Sequence, residues 1–103
     1  MEPQVLQQIR KSLLSVLADR FRGVVLYGSE ARGKAMADSD IDILVLLDGP
    51  VDIGSDLRLI IRALYPLQLK IGRPIHSTPV DVQAYQAGQF ALYRNAKSEG
   101  IQI

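Results

Sequence analysis

Apolar residues recur at helical spacing near the start of the chain. Val5, Leu6, Ile9, Leu13, Val16 and Leu17 fall near one face between Pro3 and about Arg20, the pattern of an amphipathic helix. Pro3 suits the first turn, where its missing N–H costs nothing, and Gly23 follows as a stop signal. Val24 to Tyr27 is short, apolar and β-branched at its start, and predicts a buried strand. Ile41 to Leu47 predicts a longer one, closed by the turn residues Asp48-Gly49-Pro50. Ser55 is a candidate cap for a second long helix, in which Leu57, Ile60, Ile61 and Leu64 follow the i, i+3, i+4, i+7 template. Pro66 is expected to kink or restart that helix, and Gly72-Arg73-Pro74 to end it. From Pro79 to Tyr85, Val80, Val82 and Ala84 alternate with Asp81, Gln83 and Tyr85, the period of a strand. Gln86 to Ser98 predicts a closing helix with Phe90, Tyr93 and Ala96 facing in, Gly100 as its C′ residue, and Ile101 to Ile103 as a short edge strand. The order predicts an α/β (α+β) fold, a small mixed sheet packed by helices.

Length and composition narrow the classes. The 103 residues suit one domain with one core, spanning 1–103. With 48% apolar and 22% charged residues, the chain has ordinary globular composition, not that of a disordered segment. A formal net charge of +1 does not mark a nucleic-acid binder. The absence of cysteine excludes disulfides, zinc–thiolate sites and cysteine nucleophiles, and fits a reducing cytoplasm. No apolar run approaches the roughly 18 residues that a membrane span needs, and MEPQVLQQIRK lacks the basic-then-apolar order of a signal peptide. The expected location is the cytoplasm, with no membrane contact.

The candidate chemistry lies between Leu26 and Gly49, in LYGSEARGKAMADSDIDILVLLDG. Residues i and i+2 of a strand share a face, so Asp40 and Asp42 would stand side by side, roughly 6–7 Å apart along the backbone. Two bare carboxylates that close repel, unless a cation lies between them. Mg²⁺ takes hard oxygen ligands, commonly one or two carboxylates plus substrate phosphates, and two such ions can clamp both ends of a phosphoryl displacement. At the other end of the stretch, Gly28 permits a sharp turn and close approach of backbone to ligand. Ser29 offers a hydroxyl and an N–H where Glu30-Ala31-Arg32 can begin a helix, a natural phosphate seat. Arg32 and Lys34 add positive charge. The stretch therefore reads as a seat for a nucleoside triphosphate with its metals. A third oxygen ligand is expected from Asp81, an acid flanked by valines on the third expected strand, which could also accept the proton of an attacking hydroxyl.

Gly28-Ser29, ten residues, then Asp40-Ile41-Asp42 resembles the signature of the minimal nucleotidyltransferases, within the DNA-polymerase-beta-like superfamily. The fuller run, Gly28-Ser29-Glu30-Ala31-Arg32-Gly33-Lys34-Ala35 with Ser39-Asp40-Ile41-Asp42, is similar to the bacterial and archaeal MNT domain over about two dozen residues. The resemblance implies a polymerase-beta-like core that transfers a nucleoside monophosphate from an NTP to a hydroxyl with two Mg²⁺ ions. It implies that Gly28 and Ser29 hold the triphosphate, that Asp40 and Asp42 are shared metal ligands, and that Asp81 is the third carboxylate and base. Arg32 is implied as a phosphate or structural contact. Chains of this size resemble the MntA-type antitoxins, which imply ATP as substrate and a HEPN-domain RNase toxin as partner, with AMP placed on a toxin tyrosine. Larger relatives carry an added acceptor domain for which this chain has no room.

Other residues carry plainer readings. His76 reads as a loop surface residue, Tyr27 as core, and Arg58, Arg62, Lys70 and Arg73 as the solvated face of the second helix. Two functions stand: an Mg²⁺-dependent protein adenylyltransferase, or a binding module that neutralises its partner by contact, with a vestigial or regulatory nucleotide site. The complete set Gly28, Ser29, Asp40, Asp42 and Asp81 favours the enzyme.

Overall fold

A computed structural model describes residues 2–36 and 39–103. Helix α1 (Pro3–Leu17) buries Ile9, Leu13 and Leu17, one residue per turn on the stripe the spacing predicts, and leaves Val16 outside. A 3-10 turn, Ala18–Arg20, leads into strand β1 (Phe21–Tyr27). Strand β2 is Ile41–Leu47, helix α2 Ile53–Ile71, strand β3 Ile75–Asp81, helix α3 Val82–Ala87, helix α4 Ala91–Glu99 and strand β4 Ile101–Gln102.

The sheet order is β3-β2-β1-β4. β1 is antiparallel to both β2 and β4, and β2 is parallel to β3, with α2 as the crossover that a parallel pair requires. One sheet face, carrying Val24, Leu26, Ile41, Ile43, Val45 and Leu47, packs into a core with Ile9, Leu13, Ile60 and Leu64 of the two long helices. The other, carrying Val25, Leu44, Leu46 and Val80, is covered by Tyr85 of α3 and Ala96 of α4. Burial on both faces explains why β2 reads Ile43 to Leu47 without a polar break.

Several expected boundaries move. Asp52, not Ser55, caps α2, accepting a hydrogen bond from the Ser55 N–H at 3.4 Å. The helix continues through Pro66, which is exposed. Its buried stripe includes Ile60, Leu64 and Leu67, and Ile61 is outside. The residues from Glu30 to Arg32 form turns, not a helix. The third strand begins at Ile75, and the alternating residues from Val82 belong to α3. Asp81 caps that helix, accepting from the Gln83 N–H at 2.8 Å. Pro79 is tolerated because β3 is an edge strand. Gly88, at φ 65°, closes α3 and divides the expected closing helix in two. Phe90 stays largely exposed, while Ala96 is buried.

Candidate functional site

β1 leaves the sheet at Tyr27 and β2 re-enters it at Ile41, with Tyr27 paired to Asp42 across the strands. This antiparallel pairing brings the two ends of the ten-residue gap together. Gly28, next after Tyr27, has φ 73°, a conformation costly for a residue with a Cβ. A Cβ there would lie 2.8 Å from Asp42 Oδ2, so glycine is what leaves that carboxylate open. The loop then winds through backbone hydrogen bonds: Arg32 N–H to Gly28 O (3.2 Å), Gly33 N–H to Glu30 O (3.2 Å) and Lys34 N–H to Ser29 O (2.9 Å).

Asp42 is partly exposed. Its Oδ1 lies 3.4 Å from Nδ1 of His76, the residue that pairs with it on β3. Asp40 is exposed, two positions ahead and just outside β2. The Tyr27 phenol is pushed above its ordinary pKa, first by burial and then by the charge of Asp42, against a hydrogen bond with Thr78 that lowers it. Arg32 is exposed, with Nη1 3.8 Å from Glu99 Oε2. Arg32 and Glu99, with Tyr27, Gly28, Leu92 and Asn95, line a cleft of about 260 Å³ between the loop and α4.

One residue missed from the sequence holds the loop. Arg73, expected on a solvated face, is paired through Nη1 with Glu30, and both side chains are largely buried. Its Nε donates to Ser39 O at 2.9 Å, and Ile41 N–H donates to Pro74 O at 2.8 Å. The Arg73-Pro74 pair thus fastens both the Gly-Ser loop and the start of β2. Its one sequence signal is that it follows the helix-stopping Gly72, off the helix face.

Asp81 is not part of this cluster, which corrects the expected three-carboxylate site. In the parallel register Asp42 pairs with His76 and Leu47 with Asp81. Five residues of strand, about 16 Å at the usual rise, separate Asp81 from the level of Asp42. Its carboxylate serves α3 at the opposite end of the sheet. Among the described residues no group of three or more acids, histidines or cysteines is arranged to hold a metal. What remains, Asp40 and Asp42 beside a turn with no side chain over the Asp42 carboxylate, suits a cation completed by phosphate oxygens and water.

The model of the nucleotidyltransferase domain matches residues 6–101. The chain belongs to the nucleotidyltransferase domain family. Two candidate protein adenylyltransferases of Methanocaldococcus jannaschii are similar in sequence. One is 34% identical over 43% of this chain and 44% of its own length; the other is 29% identical over 96% of this chain and 94% of its own. Among solved structures, a toxin–antitoxin with AMP-PNP covers 93% of this chain and 69% of that chain, at 21% identity and a TM-score of 0.66. The MntA-HpeT toxin–antitoxin covers 95% and 70%, at 21% identity and a TM-score of 0.61. A spectinomycin adenyltransferase from Enterococcus faecialis, with ATP and spectinomycin, covers 97% of this chain and 54% of that one, at 20% identity and a TM-score of 0.71. At these identities the structural likeness is one of fold. It agrees with the expected class, a mixed sheet packed by helices.

Proposed function

We propose that the chain transfers AMP from ATP to a hydroxyl, a tyrosine, of a partner HEPN-type RNase toxin, releasing pyrophosphate and the hydroxyl proton, and acts as its antitoxin. The observation that carries the reading is the meeting of Gly28 with Asp42, which sets an open backbone turn against a carboxylate at one end of the sheet. The names of both sequence relatives support adenylyl transfer to protein, and the toxin–antitoxin structures support a protein partner. No helix among the described residues is long and apolar enough to cross a membrane, and we place the reaction in the cytoplasm, where ATP is supplied.

In this reading Gly28 and Ser29 seat the triphosphate, and the exposed Arg32 reaches its phosphates from the rim of the cleft. Asp40 and Asp42 hold Mg²⁺, expected as two ions, which when bound supply neutralisation of charge on the transferring phosphoryl group. The turn's fixed hydrogen bonds keep the N–H groups oriented before substrate arrives, which is how such sites lower a barrier. The acceptor hydroxyl comes from the partner, which enters at the open side of Asp42.

The second reading, neutralisation by contact with a regulatory or vestigial nucleotide site, is favoured by one observation: the carboxylate expected from Asp81 is not at the site. The two separate in one experiment. The chain is mixed with the protein encoded beside it, ATP and Mg²⁺, and the intact masses of both are measured. A gain of AMP units on the neighbour, absent with Asp42→Asn, supports transfer. A tight complex without any gain in mass supports the binding module.

A further inference from the structure

We propose that the outer face of α2 is a docking surface for an acidic segment of the partner protein, centred on Arg58, Arg62 and Tyr65. The inference rests on the reading of the chain as an enzyme with a protein acceptor, and deepens it by naming where that protein is held. Ile61, Tyr65 and Leu69 stand outside the core, with 51%, 51% and 64% of their surface exposed. They recur at intervals of four, so they form one stripe, beside the buried stripe that includes Ile60, Leu64 and Leu67. Arg58 lies three residues before Ile61, and Arg62 three before Tyr65, so both guanidinium groups belong to the same face. A contiguous apolar row left outside on a helix that already has a buried face marks an interaction site. Tyr and Arg are the residues that interface centres favour.

Charge selects the occupant. From Leu57 to Ile71 the helix holds Arg58, Arg62 and Lys70 and no acid. All three cations are exposed, and none forms an ion pair among the described residues. The face complements an apolar segment flanked by carboxylates, such as an acidic amphipathic helix laid along α2. A second copy of this chain fits less well. A twofold contact sets the patch against itself, and α2 offers no carboxylate there to meet Arg58 and Arg62. A membrane also fits less well. A helix lying in the interface buries its most apolar face in lipid, and in α2 the face with Ile60, Leu64 and Leu67 is already in the core.

The stripe runs toward the candidate site. Gln68, three residues after Tyr65, accepts a hydrogen bond from the Ile75 N–H at 3.0 Å, at the start of β3. The next residue, His76, pairs with Asp42, and Pro74 O accepts from the Ile41 N–H at the start of β2. The C-terminal half of α2 and the Asp42 carboxylate therefore lie at the same end of the sheet, joined by the edge strand β3. A partner held on α2 can reach round that edge to present its hydroxyl. Such docking raises the local concentration of the acceptor and takes no part in the chemistry.

The test titrates the chain with the protein encoded beside it, by calorimetry, and follows AMP gain by intact mass over a range of partner concentrations. The variants are Tyr65→Ala and the double variant Arg58→Glu with Arg62→Glu. Each is expected to weaken binding about tenfold or more. Each should raise KM for the partner by a like factor, with kcat at saturating partner within about twofold of the parent. Equal Kd for the parent and both variants overturns the surface and, if AMP is still gained, leaves the transfer reading standing. No AMP gain with the parent, but a Kd still weakened in the variants, overturns transfer and leaves the surface standing. Dimers of the chain that Tyr65→Ala breaks, with affinity for the neighbour unchanged, overturn the proposal in favour of a second copy. Binding to phosphatidylserine vesicles that the double variant loses, with affinity for the neighbour unchanged, overturns it in favour of a membrane. Thermal unfolding of each variant confirms the fold, since all three residues are exposed.

Discussion

Arg73 and Glu30 form an ion pair with both side chains largely buried, joining the connection between α2 and β3 to the middle of the Gly-Ser loop. The same guanidinium donates to Ser39 O just ahead of Asp40. One side chain therefore ties both halves of the motif to the same connection. Arg73→Ala is expected to cost about 2 kcal/mol of stability, the range for hydrogen bonds to charged groups, measured by urea unfolding. It should also raise KM for ATP more than it lowers kcat, because it loosens the seat without removing a reacting group. Arg73→Lys keeps the charge but not the fork to two partners, and should restore stability better than KM.

Gly28 is the tightest point of the site. Gly28→Ala places a Cβ within 2.8 Å of Asp42 Oδ2 at a φ of 73°. The backbone term alone is worth about 1–2 kcal/mol. The carboxylate must also move, so nucleotide affinity should fall by more than the stability loss accounts for. Binding of a fluorescent ATP analogue at a temperature well below the variant's Tm checks this. Equal affinity in the two proteins would show that the Asp42 oxygen beside the turn takes no part.

Asp81 and Asp42 should part company under mutation. Asp81→Ala removes a helix cap and is expected to cost about 1 kcal/mol, with AMP transfer retained. Asp42→Asn should leave Tm close to that of the parent and abolish transfer. Mass measurement on the partner together with thermal unfolding reads both arms. Loss of transfer in Asp81→Ala at a temperature where the variant is folded would restore the three-carboxylate site.

The contrast between these two acids shows where the sequence was legible. β2 was readable because both of its faces are buried, which leaves an uninterrupted run from Ile43 to Leu47. The Gly-Ser and Asp-x-Asp ends were readable because each has a local chemical meaning and the antiparallel register joins them over a short gap. β3 was not. Its first half, Ile75-His76-Ser77-Thr78, is mostly polar and lies at the sheet edge, while the valines after Pro79 carry a period of two into a helix. Which β3 residue faces Asp42 is fixed by a parallel register across the 19-residue α2, and no local pattern reports it. The Arg73–Glu30 pair spans 43 positions of sequence and was hidden for the same reason.

The acid limb of stability should report a second long-range pair. Arg20, at the end of the 3-10 turn, donates to both oxygens of Asp56, at 2.9 and 3.0 Å, and Asp52 N–H donates to Oδ2 at 3.0 Å. The hydrogen bonds from Arg20 are the largest cause that holds the Asp56 carboxyl below its ordinary value; burial opposes them, and the Asp52 N–H and the Arg20 charge assist. A carboxyl depressed in the folded state stabilises the fold above its unfolded pKa, and that contribution is lost as pH falls through the folded value. Asp56→Asn is therefore expected to lower stability at pH 7 by about 2 kcal/mol and to flatten the decline of Tm below about pH 4 relative to the parent. Tm measured from pH 7 to pH 2 on both proteins decides it: parallel curves would mean that the pair contributes packing alone.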